Sequence, residues 1–226
     1  DVAYEIWAGE REAWDGHAAE QRKARLVVWR DDAGTPQAAV SYTVRERWVD
    51  NRPRGTVDVG TFTAATPEAE RELYRYLTAI DWASTAKVPL RPVDDPVSYA
   101  LVDGRAAVLR DRFDSVWLRI VDVAGTLSTR TYAADGPLVL EVVDPMGFAA
   151  GRFALDASPA GGTCLPTDLS PDVTVPVGVL SAVCLGGQTW ARMADAGLVD
   201  EHAAGAVARA SALFATPRAP YCPTPF

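Results

Sequence analysis

The chain has 226 residues, about half of them apolar (48%) and under a quarter charged (23%), a balance that excludes disorder as its main state. No apolar run reaches the ~20 residues needed to span a bilayer, so no transmembrane helix is expected. Thirty acidic against 22 basic residues give a net charge of -8, which disfavours nonspecific nucleic-acid binding and suits cationic partners such as amines at long range.

In chain order, Tyr4, Trp7 and Ala8 fall on one stripe, and residues 4–14 read as the end of a helix. Arg25 to Arg30 and Gln37 to Trp48 read as two strands joined by the turn signal Asp31-Asp32-Ala33-Gly34, hence an antiparallel hairpin. Val40, Tyr42 and Val44 alternate with Ser41, Thr43 and Arg45, giving one buried and one wet face. Gly55 to Ala64 alternates again, with Val57, Val59 and Thr61 on one side. A helix start follows: Thr66 suits the N-cap, Pro67 the first helical position, and Glu68 and Glu70 the positive helix end. Leu73, Leu77, Ile80 and Ser84 form its expected inner face.

Prolines 89, 92 and 96 then break regular structure, and Val116 to Val121 reads as a strand closing a first domain. Beyond it, a helix over 123–131 precedes four short strands near 138–143, 152–157, 163–167 and 173–177. Three helices near 177–185, 188–196 and 203–214 follow. Strands followed by helices argue an α+β domain. The expected division is residues 1–115 and 116–226.

Catalytic motifs are missing: no G-x-S-x-G, H-E-x-x-H, P-loop or G-x-G-x-x-G occurs. His17 and His202 are expected at the surface or in packing, and no metal-ligand spacing surrounds them. The pairs Asp31-Asp32, Asp94-Asp95 and Asp200-Glu201 read as solvated or capping turn residues. Cys164, Cys184 and Cys222 leave at least one thiol unpaired and fit a reducing cytosol, with Cys184 a packing residue.

Several strings, taken together in their order, resemble the Eis family of GNAT N-acetyltransferases. They are Arg91-Pro92-Val93-Asp94-Asp95-Pro96, Trp117-Leu118-Arg119, Arg130-Thr131-Tyr132-Ala133, Leu138 to Val142, Gly151-Arg152-Phe153 and Leu213 to Pro220. A Pro-containing tail with a terminal Phe226 completes the set. The resemblance implies a fold of class α+β: a degenerate, non-catalytic GNAT-like mixed α/β domain followed by a sterol-carrier-like α+β domain. It implies an acetyl-CoA-dependent transferase acting on amines (aminoglycoside, polyamine or lysine side chain), cytoplasmic and assembled as a homo-hexamer.

GNAT enzymes hold the acetyl-CoA pyrophosphate on a [RQ]-x-x-G-x-[GA] turn. The matching turn here, Thr61 to Pro67, has no glycine, and Pro67 removes a donor, so acetyl-CoA is expected on a catalytic domain upstream of Asp1, and this piece alone is expected to be inactive. The one catalytic group the resemblance places in this chain is the α-carboxylate of Phe226, as base beside the acceptor amine. Some members carry an acidic residue before the terminal Phe that holds aminoglycosides; Pro225 stands there instead. The alternative is a lipid or sterol carrier without enzymatic activity, its tunnel lined by Val179, Leu180, Val183 and Leu185.

Overall fold

A computed structural model describes residues 4–9, 24–114 and 116–223. The chain divides into two compact units, one of residues 1–91 and 95–110, the other of 92–94 and 111–226.

The first unit is a five-stranded sheet in the order β1 (Tyr4–Gly9), β2 (Ala24–Arg30), β3 (Pro36–Arg45), β6 (Gly55–Ala64) and β7 (Ala83–Lys87), with one crossover helix. β2 (Ala24–Arg30) and β3 (Pro36–Arg45) form the expected hairpin. Asp31 closes it, accepting the N–H groups of Ala33 and Thr35 at 3.1 and 2.8 Å. β1 (Tyr4–Gly9) pairs antiparallel with β2, so this stretch is a strand and not the expected helix end. Its apolar residues satisfy both periods over so short a window, and pairing with β2 decides the matter.

β3 stops at Arg45, and β4 (Trp48–Val49) and β5 (Arg52–Pro53) make a small separate hairpin around Asp50 and Asn51, both at positive φ. β6 (Gly55–Ala64) then returns antiparallel to β3. The register slips where Ser41 faces Thr61 but Tyr42 faces Val59, leaving Gly60 as an extra residue. The inward set therefore runs Val57, Val59, Phe62, and Thr61 faces out, contrary to strict alternation.

α1 (Pro67–Thr78) crosses over to β7 (Ala83–Lys87), which lies parallel to β6. Thr66 caps α1, its hydroxyl accepting the Ala69 N–H at 3.1 Å. Leu73 and Leu77 are buried as expected, with Ala69, Glu70 and Tyr74 beside them. The helix ends at Thr78, so Ile80 lies in the connection and Ser84 on β7, outside the face drawn for them. A short helix α2 (Val97–Ala100) and a 3-10 turn (Gly104–Ala106) complete the unit.

Residues 116–121 form no strand. The run has strand-like composition but pairs with no strand, and β-propensity without a partner is weak. Only Ile120 is buried, its N–H donating to Ser181 Oγ at 3.0 Å; Trp117 and Leu118 are exposed.

The second unit opens with α3 (Val123–Ser128), then β8 (Gly136–Val143), β9 (Gly151–Ser158), β10 (Gly161–Pro166) and β11 (Val173–Pro176). These four are the expected strands. They form the sheet β10-β9-β8-β11-β12, antiparallel except for β8 and β11. β12 (Asp200–Glu201) is a two-residue edge that replaces the expected turn, although the Glu201 carboxylate does accept a helical N–H, that of Val207, at 2.9 Å. α4 (Val177–Cys184), α5 (Trp190–Asp195) and α6 (Ala206–Leu213) match the three expected helices. Leu138, Leu140, Leu155, Val173 and Val175 meet Leu127, Leu180, Val183, Trp190 and Leu213 in one core. At about 25 cal/mol per Å² of apolar surface removed from water, this core dominates the stability of the unit. No helix among the described residues is long and apolar enough to cross a membrane.

Candidate functional site

The β6–α1 turn is where a GNAT fold would present backbone donors to phosphate, so its N–H groups decide what the first unit can bind. The Ala65 N–H donates to Gln37 O at 2.8 Å. Pro67 has no N–H. The Ala69 N–H goes to the Thr66 hydroxyl, and the Glu70 N–H to Thr66 O at 3.0 Å. Glu68 and Glu70 add negative charge in the first helical turn. These residues do not fit a pyrophosphate: three amides are committed within the protein, a fourth is absent, and the exposed Glu68 carboxylate would repel the ligand.

Behind this turn sits a polar cluster. The Arg91 guanidinium bridges Glu70 and Asp95, the latter at 2.6 Å, and lies 4.3 Å over the Phe62 ring. The Tyr74 hydroxyl donates to Asp95 at 2.6 Å, and Asp95 also accepts the Val97 N–H at 2.8 Å. Burial first, and the bond to Asp95 second, push the Tyr74 phenol well above its ordinary range, so it stays protonated. Asp95 thus accepts the Val97 N–H as a capping turn residue would, but its side chain is buried in an ion pair rather than solvated. The cluster ties the Arg91–Pro96 string to α1 and β6. Arg91 and Asp95 stand four residues apart, a spacing an ion pair can use, but nothing local marks Glu70 as their partner.

In the second unit, Arg130 stacks 4.6 Å from both the Tyr132 and Phe214 rings and donates to the carbonyl of Cys184 at the end of α4. Asp144 accepts the N–H groups of Met146 and Ala149, each at 2.9 Å, and an Arg119 N–H at 2.7 Å. The Ala149 bond, with those of Met146 and Arg119, holds its carboxyl below the usual range despite burial. Cys164 and Cys184 are buried, and burial pushes the Cys164 thiol up to about 11, which leaves it inert as a nucleophile. His202 is exposed, its Nε2 2.8 Å from the Thr174 hydroxyl. An open hollow of about 650 Å³ beside the β9–β10 turn is lined by Asp135, Asp156, Ser158 and Thr163 among others, and the Ser158 hydroxyl there donates to Gly161 O at 2.9 Å. Among the described residues no group of three or more His, Cys, Asp or Glu is placed to hold a metal ion.

Phe226 and His17 lie outside the described residues; the described chain ends at Pro223.

The family of the chain is decided by comparison. Residues 5–120 match a family model described as acetyltransferase (GNAT) domain, and residues 123–223 one described as sterol carrier protein domain. The crystal structure of Eis1 from Mycobacterium abscessus superposes with a TM-score of 0.79 at 34% identity, over 92% of this chain and 52% of that one. The chain belongs to the Eis-type GNAT acetyltransferases. An uncharacterized N-acetyltransferase of Streptomyces griseus is 40% identical over 201 residues, 88% of this chain and 48% of that protein. The N-acetyltransferase Eis of Mycobacterium tuberculosis is 30% identical over 171 residues, 74% and 41% of the two chains. The chain spans about half the length of the curated relatives it matches. A GCN5-related N-acetyltransferase structure from Anabaena variabilis, at 15% identity and TM-score 0.68, shares the Eis-type fold. The expected α+β class, GNAT unit followed by sterol-carrier unit, is the architecture observed.

Proposed function

We propose that this chain serves an acetyl-CoA-dependent N-acetyltransferase whose acceptors are amines: an aminoglycoside, a polyamine or a lysine side chain. Acetyl-CoA supplies the acetyl group and is held by a domain outside the 226 residues. The observation that carries this reading is the β6–α1 turn, which sits in a GNAT-family fold yet has three amides committed within the protein and a proline in place of a fourth. The chain's own contribution is scaffold, subunit contacts in a hexamer, and the Phe226 α-carboxylate. A substrate ammonium must lose a proton before its nitrogen is nucleophilic, and a fixed carboxylate is an acceptor for it. A free α-carboxyl titrates at roughly 3.3–3.7, so it anchors the ammonium electrostatically as well as accepting its proton.

The test is acetyl transfer from acetyl-CoA to a panel of polyamines, aminoglycosides and lysine peptides, using the full gene product with and without Phe226. Expected is transfer to at least one amine and its loss on removing Phe226. Equal rates for the two forms remove Phe226 from the mechanism, and transfer to no amine sinks the activity. The 226-residue chain by itself is expected to transfer nothing.

A lipid-carrier role has less support. Leu180 and Val183, two of the residues such a tunnel needs, are fully buried in the packed core. Native mass spectrometry finding a co-purified lipid would reverse that judgement.

A further inference from the structure

After α6 the chain runs across the α4–α5 turn, Leu185-Gly186-Gly187-Gln188. A Cβ on Gly186 would lie 2.2 Å from the Thr216 hydroxyl oxygen, and one on Gly187 3.0 Å from Pro220 Cγ. Gly186 has φ +78°, so its backbone alone already favours glycine. Gly187 has no such conformational demand, and close approach of Pro220 is what its missing side chain permits. Further along, the Ala219 N–H donates to Asp94 Oδ2 at 2.8 Å, a contact between residues 125 apart in sequence. The Thr216 hydroxyl turns the strand of chain locally, donating to Arg218 O at 2.9 Å. Pro217, Pro220 and Pro223 restrict the unbound tail, so fixing it costs less entropy.

We propose that the Gly186-Gly187 turn and Asp94 form a clamp on the tail, and that Gly187 and Asp94 are positioning residues for the Phe226 carboxylate. This rests on the acetyltransferase reading above. Phe226 lies six residues beyond Pro220 and twelve beyond Phe214, which bounds its distance from the clamp at about 20 Å and from the end of α6 at about 40 Å. Effective concentration falls roughly as the −3/2 power of tether length, so release dilutes the terminus about threefold at any fixed point. The charged residues of the Arg91–Pro96 segment then have a division of labour: Arg91 and Asp95 serve the first unit's core, while Asp94 serves the tail.

Hydrogen exchange with mass spectrometry on the full gene product tests the clamp directly. Gly187→Val and Asp94→Ala are expected to raise early deuterium uptake in peptides covering 215–226 with the thermal melt unchanged. Asp94→Asn, which keeps an acceptor oxygen, is expected to retain the wild-type uptake. Uptake unchanged in both Gly187→Val and Asp94→Ala overturns the clamp. The positioning role is tested by kinetics: kcat is expected to fall roughly threefold in the released variants, with KM for acetyl-CoA unaltered. A released tail with wild-type kcat overturns that role. If deleting Phe226 costs nothing, the carboxylate reading fails while the exchange result still decides the clamp.

Discussion

Arg91 has one side chain and four duties: it pairs with Glu70 and Asp95, contacts the Tyr74 hydroxyl at 3.1 Å and covers the Phe62 ring. Its side chain is 14% exposed, against 8% and 9% for the two carboxylates, so water screens the pair poorly. A hydrophobic replacement removes the guanidinium between the Glu70 and Asp95 carboxylates, which is far costlier than losing a surface pair. Arg91→Met is therefore expected to destabilise the first unit by about 3 kcal/mol in urea unfolding followed by circular dichroism. Arg91→Lys should recover only part, because an ammonium can neither fork between Nε and Nη partners nor stack flat on Phe62. A loss below about 1 kcal/mol in Arg91→Met would mean that the cluster behaves as a surface pair. The resemblance strings are informative at this scale, since Arg91, Asp94, Arg119 and Arg130 each make a contact to a distant element. The sequence displayed these residues without their partners, because an ion pair across 21 or 25 positions leaves no local spacing to read.

At the scale of elements, what was legible is what local chemistry dictates. The β2–β3 hairpin, β6 and the start of α1 carry their own signals in an Asx turn, an alternation and a Thr-Pro cap. β1, β7 and β12 do not; each exists because a neighbouring strand offers an edge. β7 is largely exposed and lacks apolar alternation, so its pairing to β6 could not be anticipated from its five residues. The Gly60 bulge likewise hides in a run that alternates on paper, and it is what turns Phe62 inward toward Tyr74, 4.9 Å between ring centroids. The candidate site was legible only as an exclusion: the missing glycine and Pro67 ruled out a phosphate turn before the committed amides were seen. The capping argument is itself testable. Thr66→Ala removes the acceptor for the Ala69 N–H and is expected to cost about 1 kcal/mol, with Thr66→Ser near wild type and the urea m-value unchanged. An unshifted midpoint for Thr66→Ala would show that α1 is held by its buried face alone.

For the molecule as a whole, acid is the condition that tests its electrostatics. Asp31, Glu141 and Asp144 all have carboxyls held below their ordinary values. For Asp31 the bond from Gln37 leads, for Glu141 that from Arg152, and for Asp144 that from the Ala149 N–H. A carboxyl whose folded pKa is depressed binds its proton more readily in the unfolded chain. It therefore contributes stability above the unfolded pKa of about 4 and loses it as pH falls through the lower folded value. Protonating the acids also uncovers the 22 basic residues that they balance, adding self-repulsion in the same direction. The urea midpoint is thus expected to stay nearly level from about pH 8 to pH 5 and to drop steeply below about pH 4. Asp144 is the decisive member, since its side chain is fully covered and accepts three hydrogen bonds across Arg119, Met146 and Ala149. Asp144→Asn should lower the plateau, because the amide keeps fewer acceptors, and should make the acid limb shallower, because one titrating group is gone. A lowered plateau with an unaltered acid limb would assign the acid sensitivity to the other carboxylates and leave Asp144 a packing residue.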